Sequence, residues 1–77
     1  MTHEDVARQV PQIIAEQLGT AAENPDARFI EDLGADSLDV VEITMLLEER
    51  FDVTISDDEM EKCDTVGKAV ELVQSKI

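Results

Sequence analysis

The sequence predicts an all-α protein: a small four-helix bundle of three longer helices and one short helix, with a long first loop. Apolar residues recur at helical spacing in three segments of the 77-residue chain. Residue pairs typical of helix starts precede the candidate helices. The alternation typical of strands is confined to FDVTIS, at 51–56, which is too short and isolated to form a sheet.

The first helix is predicted over about 3–18, because Thr2 and Asp5 form a capping-box pattern at its start. Gly19 follows the last apolar position and ends the helix. Pro11 lies inside the pattern and removes one backbone donor, so we expect a kink or a frayed first turn. The apolar positions are Val6, Val10, Ile13, Ile14 and Leu18.

The segment 19–36 has no helical periodicity and contains Asn24-Pro25, a pair typical of turns. It is expected to be a long loop that packs on the core through three apolar residues, Phe29, Ile30 and Leu33.

A second helix is predicted from Ser37 to about Phe51. Ser56 and Glu59 form another capping-box pattern, which predicts a short third helix that ends near Cys63, with Met60 facing inward. Asp64 or Thr65 is expected to cap a fourth helix, whose apolar stripe is Val66, Ala69, Val70, Val73 and Ile77. The predicted core combines the apolar stripes of helices one, two and four with Phe29, Leu33 and Ile55.

The chain is strongly acidic, with 19 Asp and Glu against 6 Lys and Arg and a formal net charge of −13. Such a surface repels the phosphates of nucleic acid, and basic proteins are its natural complement. Alternatively, the acidity serves only to keep the chain soluble and monomeric. One domain of this size leaves little room for a deep active-site cleft.

The single cysteine, Cys63, cannot form an internal disulfide, which favours a reducing compartment. The first ten residues lack the basic and apolar blocks of a signal peptide, and no apolar run approaches the ~20 residues of a membrane span. We therefore expect a cytoplasmic protein that does not insert into membranes.

The second helix has two apolar faces. Val40, Ile43, Leu47 and Phe51 form a stripe suited to the core. A different side carries Leu38, Val41 and Met45, framed by Asp39, Glu42, Glu48 and Glu49. This second side is interpreted as a docking surface; the alternative is that the first loop folds over its apolar residues.

Ser37 lies among acids at the start of this helix. A catalytic role requires a base, and the only histidine, His3, lies near the N-terminus, so no catalytic residue is predicted. Asp36 or Ser37 itself can act as the helix N-cap. Ser37 can also accept a phosphate-linked group, because a helix N-terminus offers free backbone donors and the positive end of the dipole.

A calcium loop counted from Asp32 fails, because Gly34 falls at the third ligand position and Ile43 at the position that requires a bidentate Glu. No metal site is predicted.

The stretches DLGADSLDVVEI, at 32–43, and LLEERFDVTI, at 46–55, resemble the acyl carrier proteins of bacterial type II fatty-acid synthesis. The likeness extends from IIAEQLG, at 13–19, to DEMEKCDTVGKAVELV, at 58–73, and so implies a single acyl carrier domain over 1–77. The chain departs from the family pattern at Pro11, in the short loop GTAAENPDARF, and at Ser56, where many relatives have proline.

The resemblance implies that Ser37 is the attachment site of 4'-phosphopantetheine, donated by coenzyme A through a phosphopantetheinyl transferase, which makes the chain a phosphoprotein. The terminal thiol of the phosphopantetheine would hold growing acyl chains as thioesters. Because the protein's own thiol is then not needed, Cys63 is interpreted as a small core residue. The implied partners are acyltransferase, ketoacyl synthase, reductase and dehydratase enzymes with basic patches. They would contact Asp36, Leu38, Asp39, Val41, Glu42, Met45, Glu48 and Glu49.

By the same likeness, Ile43, Leu47 and Ile55 are candidates to line a pocket for the acyl chain. Two alternatives stay open. The chain can serve a polyketide, peptide or specialised lipid pathway, or it can be an unmodified acidic adaptor that binds basic proteins.

Overall fold

The structure is a computed structural model and describes residues 2–77. It contains four α-helices in chain order, α1 (His3–Leu18), α2 (Ser37–Phe51), α3 (Asp57–Glu61) and α4 (Val66–Ser75). The predicted all-α architecture is confirmed. Between residues 2 and 77 the only β-type pairing is an isolated bridge that joins Arg28 to Thr65.

Helix α1 begins with the predicted capping box, in which the Asp5 N–H donates to Thr2 Oγ1 at 3.1 Å and the Thr2 N–H donates to Asp5 Oδ2 at 3.1 Å. Gly19 ends the helix in the left-handed region, at φ 67°, and its N–H donates to the Ala15 carbonyl. The helix continues through Pro11 without interruption. Because the first turn is capped and intact, the expected frayed turn is wrong; the kink stays a prediction.

The N-termini of α3 and α4 are also capped by side chains that are close in sequence. Ser56 and Glu59 form the predicted capping box of α3, and Met60 is buried. Of the two candidates for the cap of α4, the structure selects Thr65, whose Oγ1 accepts from the Lys68 N–H at 3.2 Å. Asp64 instead pairs with the Lys68 ammonium at 2.9 Å.

The core lies between α1, α2 and α4 and is entirely apolar among the described residues. Its fully buried large side chains include Val6, Val10, Ile14, Ile43, Leu47 and Val73. Phe29 and Ile55 join it from the connections, as predicted, and Leu33 packs against it half-buried. Two expectations are wrong: Ile77 is 44% exposed because α4 ends at Ser75, and Ile30 is 62% exposed.

The first loop docks on the junction between α3 and α4 through backbone hydrogen bonds. Phe29 N–H donates to the Asp64 carbonyl at 3.0 Å, and Gly67 N–H donates to the Pro25 carbonyl at 2.8 Å. A Cβ at Gly67 would lie 3.0 Å from that carbonyl oxygen, so glycine permits the close approach. Ala22 and Ala27 are buried, so small side chains anchor the first loop.

Candidate functional site

Ser37 is the first residue of α2, and the structure assigns the capping role to its neighbour Asp36. Asp36 Oδ1 accepts from the Asp39 N–H at 2.9 Å, and Asp39 Oδ2 accepts from the Asp36 N–H at 3.1 Å. The Ser37 side chain is exposed, and no group within residues 2–77 hydrogen-bonds its hydroxyl. The cap therefore leaves the Ser37 hydroxyl accessible.

The backbone around Ser37 can receive an anion. The N–H groups of Ser37 and Leu38 have no acceptor in the described part of the chain, because Asp36 bonds only the Asp39 N–H with its side chain and only the Val40 N–H with its carbonyl. These donors lie at the positive end of the dipole of a 15-residue helix. Phosphate oxygens attached at Ser37 would meet free donors there.

The approach to Ser37 is open on the loop side. Gly34 has a φ of 73° and no heavy atom within 4 Å of the place where a Cβ would be. The following residue, Ala35, is buried, and its N–H donates to the Phe29 carbonyl at 2.9 Å. A buried anchor next to an uncrowded turn holds the start of α2 while leaving space for a bulky group.

A groove of about 690 Å³ lies between α2, the first loop and α3, and Ser37 is one of the residues that line it. Its apolar lining comes from these three elements and from the connection before α3: Val40, Val41, Met45, Phe29, Ile30, Met60 and Ile55. Of the three candidates for an acyl-chain pocket, Ile55 lines this groove. Ile43 and Leu47 lie fully buried in the core and are not among the lining residues.

The sequence pattern does not predict the groove-lining role of several residues, among them Ile30 and Met60. Ile30 was expected to pack in the core but instead lies at the groove, exposed. Met60 was predicted to face inward, and it does, but its side chain also lines the groove. No local pattern signals either role, because both depend on how the first loop and α3 lie against α2.

The second face of α2 is exposed, as its interpretation as a docking surface requires. Leu38 is 70% exposed, and Val41 and Met45 are each 53% exposed. The alternative that the first loop covers these side chains is therefore wrong. Isolated apolar residues on a surface are ordinary, but three on one side of a single helix form an apolar patch.

The carboxylates that frame this face differ in their hydrogen-bond partners within the protein. Asp36 and Asp39 form the cap. Glu42 accepts a hydrogen bond from Gln17 Nε2 of α1. Glu48 accepts from the Ile55 N–H at 3.1 Å and is half-buried, whereas Glu49 is exposed. The acids predicted to contact partner enzymes therefore also accept hydrogen bonds within the protein. Glu49 is the exception among the contacts of residues 2–77.

Cys63 is buried, and its thiol donates to the Lys68 carbonyl at 3.6 Å. Burial raises the pKa of the Cys63 thiol, which disfavours the reactive thiolate. Its placement agrees with the interpretation as a small core residue.

Residues 2–77 contain no group of three or more His, Cys, Asp and Glu side chains arranged to bind a metal ion. In the same span, every helix is too short or too polar to cross a bilayer.

Residues 8–73 match the family described as "Phosphopantetheine attachment site". The fold is similar to that of an acyl carrier protein from Enterococcus faecalis, with a TM-score of 0.84, 37% identity and complete coverage of both chains. It is also similar to an acyl carrier protein from Thermotoga maritima, with a TM-score of 0.77 and 29% identity over 99% of this chain and 91% of that one.

Fold and family together define a carrier domain, a protein that holds a substrate on a prosthetic arm instead of converting it. The chain belongs to the acyl carrier proteins, which carry phosphopantetheine and are not catalytic. The exposed Ser37 hydroxyl, the two free N–H groups and the adjoining groove fit such a group.

Proposed function

We propose that the chain is a single carrier domain that holds growing acyl chains as thioesters on 4'-phosphopantetheine attached to Ser37, in cytoplasmic fatty-acid biosynthesis. The observation that carries this proposal is the exposed Ser37 hydroxyl, left without a hydrogen-bond partner within residues 2–77 because Asp36 caps the helix. When bound, the arm supplies a terminal thiol that forms the thioester.

The residues around Ser37 have separate tasks in this proposal. The N–H groups of Ser37 and Leu38 bind phosphate oxygens, and the turn at Gly34 leaves space for the arm. The groove next to Ser37 is apolar along much of its lining, which suits an alkyl chain. Ile55 is a wall of that groove, while Ile43 and Leu47 form the core behind it.

The docking surface for partner enzymes consists of the apolar patch on α2 and the carboxylates around it. Leu38, Val41 and Met45 supply apolar contacts. The acids attract basic patches on a phosphopantetheinyl transferase and on acyltransferase, ketoacyl synthase, reductase and dehydratase enzymes. They are Asp36, Asp39, Glu42, Glu48 and Glu49.

The attachment is tested by intact mass before and after incubation with coenzyme A and a broad-specificity phosphopantetheinyl transferase. We expect a gain of one phosphopantetheine on the wild type and none on Ser37→Ala. Ser75→Ala is the matched control, because Ser75 is another exposed serine, far along the chain in α4. It should gain the same mass as the wild type.

Failure of the folded wild type to gain mass would refute the proposed attachment and favour the acidic adaptor. A gain that persists in Ser37→Ala would place the group on another residue. The pathway is tested separately, by offering the loaded protein to purified ketoacyl synthases of fatty-acid and polyketide synthesis. Elongation by the polyketide enzyme alone would contradict the fatty-acid assignment.

A further inference from the structure

The wall of the groove opposite α2 is formed by the segment 55–61, called here the groove wall. It contributes Ile55 and Met60 to the groove lining, together with the polar Asp57 and Glu61. Its only regular structure is α3, which is five residues long. A helix of this length is not stable alone, so contacts with the rest of the chain must hold the wall in place.

Glu48 provides one such contact from the α2 side. Its Oε2 accepts from the Ile55 N–H at 3.1 Å, across seven residues of sequence. Between them, Asp52 adopts the left-handed region at φ 54°, which turns the chain back towards α2. The bond joins a half-buried carboxylate to the first residue of the groove wall, and a hydrogen bond to a charged group is stronger than a neutral one.

Glu59 provides the second contact, at the other side of the groove wall. Its Oε1 accepts from the Ser56 N–H at 3.0 Å, while its Oε2 lies 2.9 Å from the Lys76 ammonium beyond the end of α4. These bonds lower the pKa of Glu59 to about 2, so it is charged at neutral pH. The groove wall is thereby attached to α2 at one end and to the C-terminal segment at the other.

We propose that Glu48 is a positioning residue of the groove, which with the Glu59–Lys76 pair fixes the groove wall and so determines how the groove holds an acyl chain. That the groove holds an acyl chain rests on the function proposed above. The role of Glu48 in placing the groove wall does not depend on it. Glu48 therefore differs from its exposed neighbour Glu49, whose carboxylate forms no hydrogen bond with the wall among residues 2–77.

Amide hydrogen exchange on the unmodified protein tests the positioning role. Glu48→Ala removes the acceptor, so exchange at Ile55 should quicken at least about tenfold relative to the core amide of Ile43. Glu48→Gln keeps an oxygen acceptor but forms a weaker, neutral hydrogen bond, so exchange at Ile55 should lie between that of the wild type and that of Glu48→Ala. Glu16→Ala, which removes an exposed acid from α1, is the matched control and should leave Ile55 unchanged.

Exchange at Ile55 that is unchanged in Glu48→Ala would overturn the proposal. So would Glu48→Gln exchanging as fast as Glu48→Ala, because the charge and not the hydrogen bond would then be the cause. Dividing by the Ile43 rate separates local opening of the wall from loss of global stability.

The effect on the groove is measured with an octanoyl thioester on the phosphopantetheine-loaded protein, cleaved by hydroxylamine. Cleavage should be faster in Glu48→Ala and Lys76→Gln than in Glu48→Gln and the wild type. Equal cleavage in all four would refute the claim that the wall determines how the chain is held. Failure to load the wild-type protein would instead count against the proposed function, and the exchange result would still stand.

Discussion

The cap of α2 leads to a quantitative prediction for Asp36→Ala. The substitution removes the bond from Asp36 Oδ1 to the Asp39 N–H, 2.9 Å long, but leaves Asp39 Oδ2 on the backbone N–H of residue 36. Loss of an N-cap costs about 1 kcal/mol, and loss of a negative charge at a helix N-terminus costs about 0.3–1 kcal/mol more. Relief of repulsion in a chain of net charge −13 offsets part of the second contribution.

The expected net loss is therefore about 1 kcal/mol, which lowers the melting temperature of a domain this small by roughly 4–8 °C. Far-UV circular dichroism during urea and thermal unfolding measures it. Asp36→Asn should retain most of the stability, because Asn caps as well as Asp and keeps the oxygen acceptor. Asp26→Ala, an exposed loop acid whose carboxylate makes no bond among the described contacts, controls for charge.

Two results would refute this reasoning. If Asp36→Ala unfolds at the same urea concentration as the wild type, the cap seen in the structure contributes no stability. If Asp36→Asn loses as much as Asp36→Ala, the contribution comes from the charge and not from the hydrogen bond.

Two further predictions concern α4 and α3. Gly67→Ala should destabilise the fold by about 1 kcal/mol, since a Cβ 3.0 Å from the Pro25 carbonyl oxygen costs more than the gain in helix propensity; a raised urea midpoint would contradict this. The folded-state pKa of Glu59, about 2, lies below its ordinary 4.5, so this group stabilises the fold above pH 4.5 and the contribution is lost as the pH falls towards 2. The difference in unfolding free energy between wild type and Glu59→Gln should therefore shrink over that range. A difference that does not change with pH would show that the contacts of Glu59 with Lys76 and Ser56 do not stabilise the charged carboxylate.

The helix boundaries were predictable because their signals are local. The pairs Thr2 and Asp5, and Ser56 and Glu59, are three residues apart, and each pair closes its own capping box in the structure. The start of α2 was predicted from its apolar periodicity instead, which left Asp36 and Ser37 as two candidates for the N-cap. Three-dimensional geometry selected Asp36, whose side chain reaches the Asp39 N–H.

The groove was less predictable, because its residues come from three separate segments. Ile30 carries the same apolar signal as Phe29, yet Phe29 is buried and Ile30 is exposed at the groove. The direction of each side chain depends on the turn that follows Arg28, where the loop pairs with Thr65. Hydrophobicity alone does not distinguish a core residue from a groove residue.

The sequence by itself determined the helical fold, the capping boxes of α1 and α3, and the motif around Ser37 that resembles an attachment site, because all of these depend on residues within a few positions of one another. Only the tertiary structure decided that Ser37 lines a groove, and that Glu48 accepts a hydrogen bond from Ile55 in the groove wall. The physical reason is distance along the chain. A hydrogen bond across seven residues and a left-handed turn, or a cavity between a loop and two helices, forms only when packing brings its parts together.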